Sequence, residues 1–97
     1  MFLVSAHAVV AAPPTSERQG VLFHLLKHDC GSCHGLTMNG GLGPPLLPGD
    51  LNGKEEEDLV EVILDGVPGT PMPPWRFELS REEAAWMVDR LKEGLPQ

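Results

Sequence analysis

The pentapeptide Cys30-Gly31-Ser32-Cys33-His34 constrains this chain more than any other stretch, because it uses both cysteines of the 97-residue sequence. Two thiols three residues apart, followed directly by a histidine, have the spacing of a c-type haem attachment site. On a helical turn, positions i, i+3 and i+4 share one face. Cys30 and Cys33 can therefore reach the two vinyl groups of one porphyrin as thioethers while His34 points at its iron from the same side. The expected cofactor is a single, covalently attached haem c. Two other chemistries use Cys-x-x-Cys. A thioredoxin-type dithiol needs a βαβ context, and the sequence shows no convincing strand. A zinc site needs a second ligand pair; none stands at a suitable distance downstream, and His24 and His28 lie just upstream.

A chain of this length makes one domain with a thin core, and a covalently held apolar plate would supply the missing packing surface. The 11 glycines and 10 prolines cluster between residues 31 and 74, which predicts mostly loop there. A net charge of −7 argues against nucleic acid and anionic membrane surfaces and favours a basic partner. Residues 1–12 are apolar apart from Ser5 and His7 and too short to span a bilayer. They read as a leader or the remnant of a secretory signal, with small-residue cuts after Ala8 or Ala12. The basic segment that opens such signals is missing, since no Lys or Arg precedes Arg18. The domain proper is expected over 13–97, with no membrane span once the leader is removed.

Three principal helices are predicted. Ser16-x-x-Gln19 matches a capping box, so a first helix should start there. It places Val21, Leu22, Leu25, Leu26 and Asp29 at helical spacing and runs to about Cys33. From Gly35 to Asn52 the chain is loop. A second helix begins near Lys54. Its first turn holds Glu55, Glu56, Glu57 and Asp58, which complement the helix dipole; its inward stripe is Leu59, Val62 and Ile63, and Gly66 is its stop. Ser80-x-x-Glu83 opens a third helix, with Leu79 as the staple residue before it. Ala84, Ala85, Val88, Leu91 and Leu95 line its buried face, and Gly94 and Pro96 end it. The fold class is all-α, with long Gly/Pro loops around one haem.

Four methionines could supply the second axial ligand. Met1 lies in the leader, Met38 follows His34 too closely to reach the opposite face, and Met87 lies on the last helix. Met72 sits in Gly66-Val67-Pro68-Gly69-Thr70-Pro71-Met72-Pro73-Pro74-Trp75, with proline on both sides. Flanking prolines restrain its backbone and lower the entropic cost of presenting a thioether to a metal. His34 and Met72 are the expected metal ligands. His7, His24 and His28 are the competitors.

The order of capped helix, Cys30–His34, Gly43-Pro44-Pro45-Leu46, acidic helix, Met72-Pro73-Pro74-Trp75 and capped last helix resembles a small class I cytochrome c over nearly all of the chain after the leader. More narrowly, Gly40-Gly41-Leu42-Gly43-Pro44 together with Pro68–Trp75 is similar to the small cytochromes c-55x encoded beside haem-cd-type nitrite reductase. The resemblance implies the cytochrome c fold. It also implies that the carbonyl of Pro44 accepts a hydrogen bond from the second ring nitrogen of His34, fixing its tautomer. Leu46 of the Gly-Pro-x-Leu motif and Trp75 fall beside the haem in the same likeness; Trp75 would shield it, donate to a propionate, or simply pack. Many class I cytochromes place a glycine and an aromatic on the facing first and last helices. Leu22, Leu26 and Arg90 or Leu91 stand at those places here.

His plus Met would fill both axial positions, and a neutral thioether favours ferrous iron. That describes a one-electron carrier and not an enzyme. The resemblance implies service to nitrite reduction, as donor to the reductase or as electron acceptor in maturation of its d-type haem, with redox proteins as partners. Because c-type haem is attached outside the cytoplasmic membrane, a periplasmic location is expected. The competing readings are a haem-based ligand sensor with a displaceable Met72 and a thiol–disulfide oxidoreductase.

Overall fold

A computed structural model of the protein describes residues 13–96; the leader assigned to 1–12 lies outside the described residues. Among them there is no strand, and no helix is long and apolar enough to cross a membrane.

The chain enters its first helix one residue earlier than Ser16-x-x-Gln19 suggests. Thr15, held extended after Pro14, is the N-cap, and its Oγ1 accepts from Arg18 N at 3.2 Å. Gln19 does not complete a box; its side-chain amide donates to Pro14 O at 2.8 Å. Helix α1 (Ser16–His24) runs into a π turn over Leu25–Cys30 and then into α2 (Gly31–His34), one continuous helical path. In the π turn the Gly31 N–H reaches Leu26 O, five residues back. The α-helical spacing read from the sequence did not reveal this widening. Leu22, Leu25 and Leu26 are buried, whereas Val21 and Asp29 face solvent.

One helix forms inside the stretch expected to be loop. Helix α3 (Pro48–Leu51) is a single turn, with proline at its first position and the Asp50 carboxylate accepting from Leu47 N at 3.1 Å. It carries Leu51 into the core and packs on the last helix. Helix α4 (Glu56–Asp65) starts later than Lys54 and ends at Gly66, φ 69°. Its core residues are Val60 and Leu64. The stripe of Leu59, Val62 and Ile63 is therefore corrected. Leu59 and Ile63 are half-buried at its margin, and Val62 is 40% exposed. Which face turns inward is decided by where α5 lies, because α4 packs chiefly on that helix.

Helix α5 (Arg81–Glu93) begins with a reciprocal capping box. Glu83 N donates to Ser80 Oγ at 3.1 Å, and Ser80 N donates to Glu83 Oε1 at 3.0 Å. Leu79 is buried just ahead of it. Ala84, Trp86, Met87, Val88 and Leu91 are buried and meet Leu22, Leu26 and Leu64 in one core. Against α1, the Phe23 and Trp86 rings meet edge-on with centroids 5.1 Å apart. The Arg90 guanidinium lies over the Trp86 ring, 5.0 Å from its centroid. Of the pair expected at the helix crossing, Leu91 enters the core and Arg90 stays at its rim. A salt bridge from Arg18 to Glu83 also joins the two helices.

Candidate functional site

The attachment residues finish one helical path. Cys30 closes the π turn, Cys33 and His34 close α2, and Gly35 (φ 95°) breaks the helix immediately after. Ser32 Oγ donates to Asp29 O at 2.7 Å, tightening this turn. Both thiols are free and half-buried. Burial, followed by the nearby Asp29 carboxylate, pushes the Cys30 thiol up to about 11. Little thiolate is then present at neutral pH, a poor property for the nucleophile of a dithiol oxidoreductase.

A glycine-rich loop folds back over the end of α2. Helix ends leave carbonyls without partners, and here the loop supplies donors: Gly43 N to Cys33 O at 2.7 Å and Gly40 N to His34 O at 2.8 Å. The close approach needs glycine. A Cβ on Gly41 would stand 2.8 Å from Cys33 O, and one on Gly43 would stand 2.8 Å from both Cε1 and Nδ1 of the His34 ring. Pro44 follows, and its carbonyl oxygen lies 2.7 Å from His34 Nδ1. A carbonyl can only accept, so Nδ1 is the donor, and in the neutral ring Nε2 is then the nitrogen that carries the lone pair. That is the tautomer a metal-ligating Nε2 requires. Leu46 N donates to Met38 O at 2.8 Å. The Leu46 side chain borders an apolar cleft with Phe23, Met38, Leu91 and Leu95, a cleft that Cys30, Cys33, His34, Met72 and Trp75 do not line.

Met72 lies on a second loop, which finishes α4. Trp75 N donates to both Ile63 O and Leu64 O, at 3.0 and 3.1 Å, and Arg76 N donates to Leu64 O at 3.0 Å. Arg76 also pairs with Asp65. At the loop's other end, Val67 N donates to Met72 O at 3.2 Å. A Cβ on Gly66 would stand 2.7 Å from Met72 O. Thr70 was missed by sequence reasoning: its hydroxyl donates to Val67 O at 2.7 Å and accepts from Met72 N at 3.3 Å. The signal was present, since a threonine two residues before the methionine is the pattern of a side-chain-supported turn. Met72 is half-buried, and Trp75, also half-buried, stacks on Phe77 with centroids 6.0 Å apart.

The remaining donors are sparse. Among the described residues no buried side chain is charged or polar, and no group of three or more His, Cys, Asp and Glu could hold a metal ion. The residues fit a porphyrin: two thiols on one helical face, an imidazole with one nitrogen free, and a restrained thioether.

Residues 21–89 match the family described as cytochrome C oxidase, cbb3-type, subunit III. Cytochrome c55X of Paracoccus denitrificans (strain Pd 1222) is 50% identical over 91 residues, covering 94% of this chain and 88% of that protein. The chain is a c-type cytochrome of the c55X family. Its fold is matched by the solved c-type cytochrome NirC at a TM-score of 0.80 and 57% identity, over 82% of this chain and 94% of that one. The cytochrome is also similar to a small part of a larger protein, dihydro-heme d1 dehydrogenase NirN, solved in complex with DHE. That likeness has a TM-score of 0.66 and 35% identity and covers 77% of this chain but 16% of the dehydrogenase. The all-α cytochrome fold is thus established, and with it haem c as the covalently bound cofactor.

Proposed function

We propose that this cytochrome is a periplasmic one-electron carrier in which Cys30 and Cys33 form the thioethers and His34 Nε2 and Met72 Sδ are the axial ligands. The observation that carries the reading is the 2.7 Å contact from His34 Nδ1 to Pro44 O, which occupies one ring nitrogen and leaves the other to face a metal. The bound haem supplies exchange of a single electron with little change in coordination. His34 holds its nitrogen in place through Pro44, while Gly66, Thr70 and the two flanking prolines hold the backbone of Met72. With both positions filled by the protein, neither is offered to a substrate. Met72→Ala should leave attachment intact, lower the reduction potential and allow carbon monoxide to bind the reduced protein. Absorption spectra and a redox titration read this out, and an unchanged spectrum would refute the ligand assignment.

The partner reading rests on the similarity to part of the dehydrogenase. Oxidation of a dihydro-haem removes two electrons and two protons. A monohaem carrier accepts one electron at a time, so two ferric molecules would be reduced per product, with the protons released to water. Transfer of this kind needs brief docking, which the acidic surface can steer toward a basic partner. Anaerobic stopped-flow mixing of the ferric cytochrome with dihydro-haem-loaded dehydrogenase should show reduction in that two-to-one ratio. Mixing the ferrous form with cd-type nitrite reductase tests the donor role. Absence of exchange in both experiments would sink the link to nitrite reduction while leaving the carrier assignment standing.

A further inference from the structure

The attachment helix carries a second pair of metal-ligating side chains that haem binding does not use. His24 ends α1 and His28 lies in the π turn. Both are exposed, and their ring centroids are 4.3 Å apart with planes inclined at 40°. Two imidazoles four residues apart on one helix can chelate a single ion. With centroids 4.3 Å apart, both rings are close enough to reach one ion. The Irving–Williams order then ranks copper(II) first among divalent ions at an imidazole pair, and two nitrogen donors with water suit tetragonal ions.

We propose that His24 and His28 form a surface chelate for a tetragonal divalent transition ion, copper(II) foremost and nickel(II) next. Among the described residues no third His, Cys, Asp or Glu joins them, so water or a donor from another molecule completes the coordination sphere. Lys27 and Asp29 flank His28 with opposite charges, and the chain's net charge of −7 draws cations to its surface.

The test uses the ferric, haem-loaded full chain, in which His34 is engaged, and copper(II), nickel(II) and zinc(II) salts as probes. Calorimetry should find one copper bound by the pair, and its electron paramagnetic resonance should show nitrogen coupling. Nickel should bind more tightly than zinc. His24→Ala and His28→Ala should each weaken copper binding by roughly tenfold or more, with the haem spectrum unchanged. Copper affinity undiminished in both single variants, or zinc bound more tightly than copper and nickel, would overturn the proposal.

Discussion

Two loops position this cytochrome's candidate axial ligands, and both finish a helix, but they do so in opposite senses. At residues 35–45 the ligand belongs to the helix, and the loop comes to it: Gly40, Gly41 and Gly43 press against Cys33 and His34, and the Pro44 carbonyl accepts a hydrogen bond from the imidazole N–H. At 66–76 the ligand belongs to the loop, and the helix end comes to it: the carbonyls of Ile63 and Leu64 hold Trp75 and Arg76, and Thr70 supports Met72 from within. The difference follows from side-chain chemistry. An imidazole has a second nitrogen that one hydrogen bond can orient. A thioether has no strong donor or acceptor, so only its backbone can be fixed. The histidine side should therefore fail through its side-chain contact and the methionine side through its backbone.

The largest expected effect is at Gly66. An alanine there must adopt φ 69° and thrust its Cβ to 2.7 Å from Met72 O and 2.8 Å from Pro73 C. That conformation, φ 69° with ψ −173°, is essentially confined to glycine and costs another residue about 1–3 kcal/mol, and the clash with backbone adds to it. Gly66→Ala should lower the thermal midpoint and abolish the weak near-infrared sulfur–iron band of the ferric form, with the haem still attached. A retained band would mean that the loop's backbone does not set the methionine.

Gly43→Ala comes next. Its Cβ would meet the imidazole at 2.8 Å and displace His34 from Pro44 O. Overpacking of this kind costs about 1–3 kcal/mol. Here the reduction potential should shift along with stability, because the displaced ligand loses its hydrogen bond to the carbonyl. A redox titration and a melting curve check both.

Thr70→Val keeps the shape and removes two hydrogen bonds, each worth about 0.5–1.5 kcal/mol. The variant should lose Met72 to exogenous ligands at lower concentration than the parent while its histidine side is untouched. Imidazole titration followed by absorption measures this. Equal titration curves would remove Thr70 from the argument.

The smallest effect lies away from both loops and serves as a control. The hydrogen bond from Arg18, its largest influence, holds the Glu83 carboxyl below its ordinary 4.5. A depressed folded-state value adds stability that is present above the unfolded value and is lost as pH falls through the folded one. Arg18→Gln should therefore destabilise at pH 7 by no more than about 1 kcal/mol for a pair with both side chains partly exposed. The gap should narrow as pH falls below the ordinary glutamate value and close below the depressed one. Denaturation at pH 7 and below the depressed value tests the sign, and neither haem ligand should respond.

Much of this molecule can be read from local chemistry. The cysteine–histidine motif, the Ser80–Glu83 capping box, the acidic first turn of α4 and the methionine between prolines each act over a few neighbouring residues, so their meaning survives without the rest of the fold. The likeness to class I cytochromes also placed Pro44 ahead of the structure, and the His34 contact with its carbonyl is there. The misread face of α4 depends on a partner distant in sequence: its core residues are Val60 and Leu64 because α5 lies against it. The π turn is a backbone rearrangement that residue types at helical spacing do not encode.

The sequence by itself determined that two thiols and an imidazole would share one helical turn and that Met72 would lie in a stiff loop, because spacing and proline restraint are local properties. Only the tertiary structure decided which glycines have no room for a Cβ and how the hydroxyl of Thr70 supports Met72. Those depend on loops returning to helix ends whose carbonyls lack partners, and hydrogen bonding across such distances is settled when the chain packs.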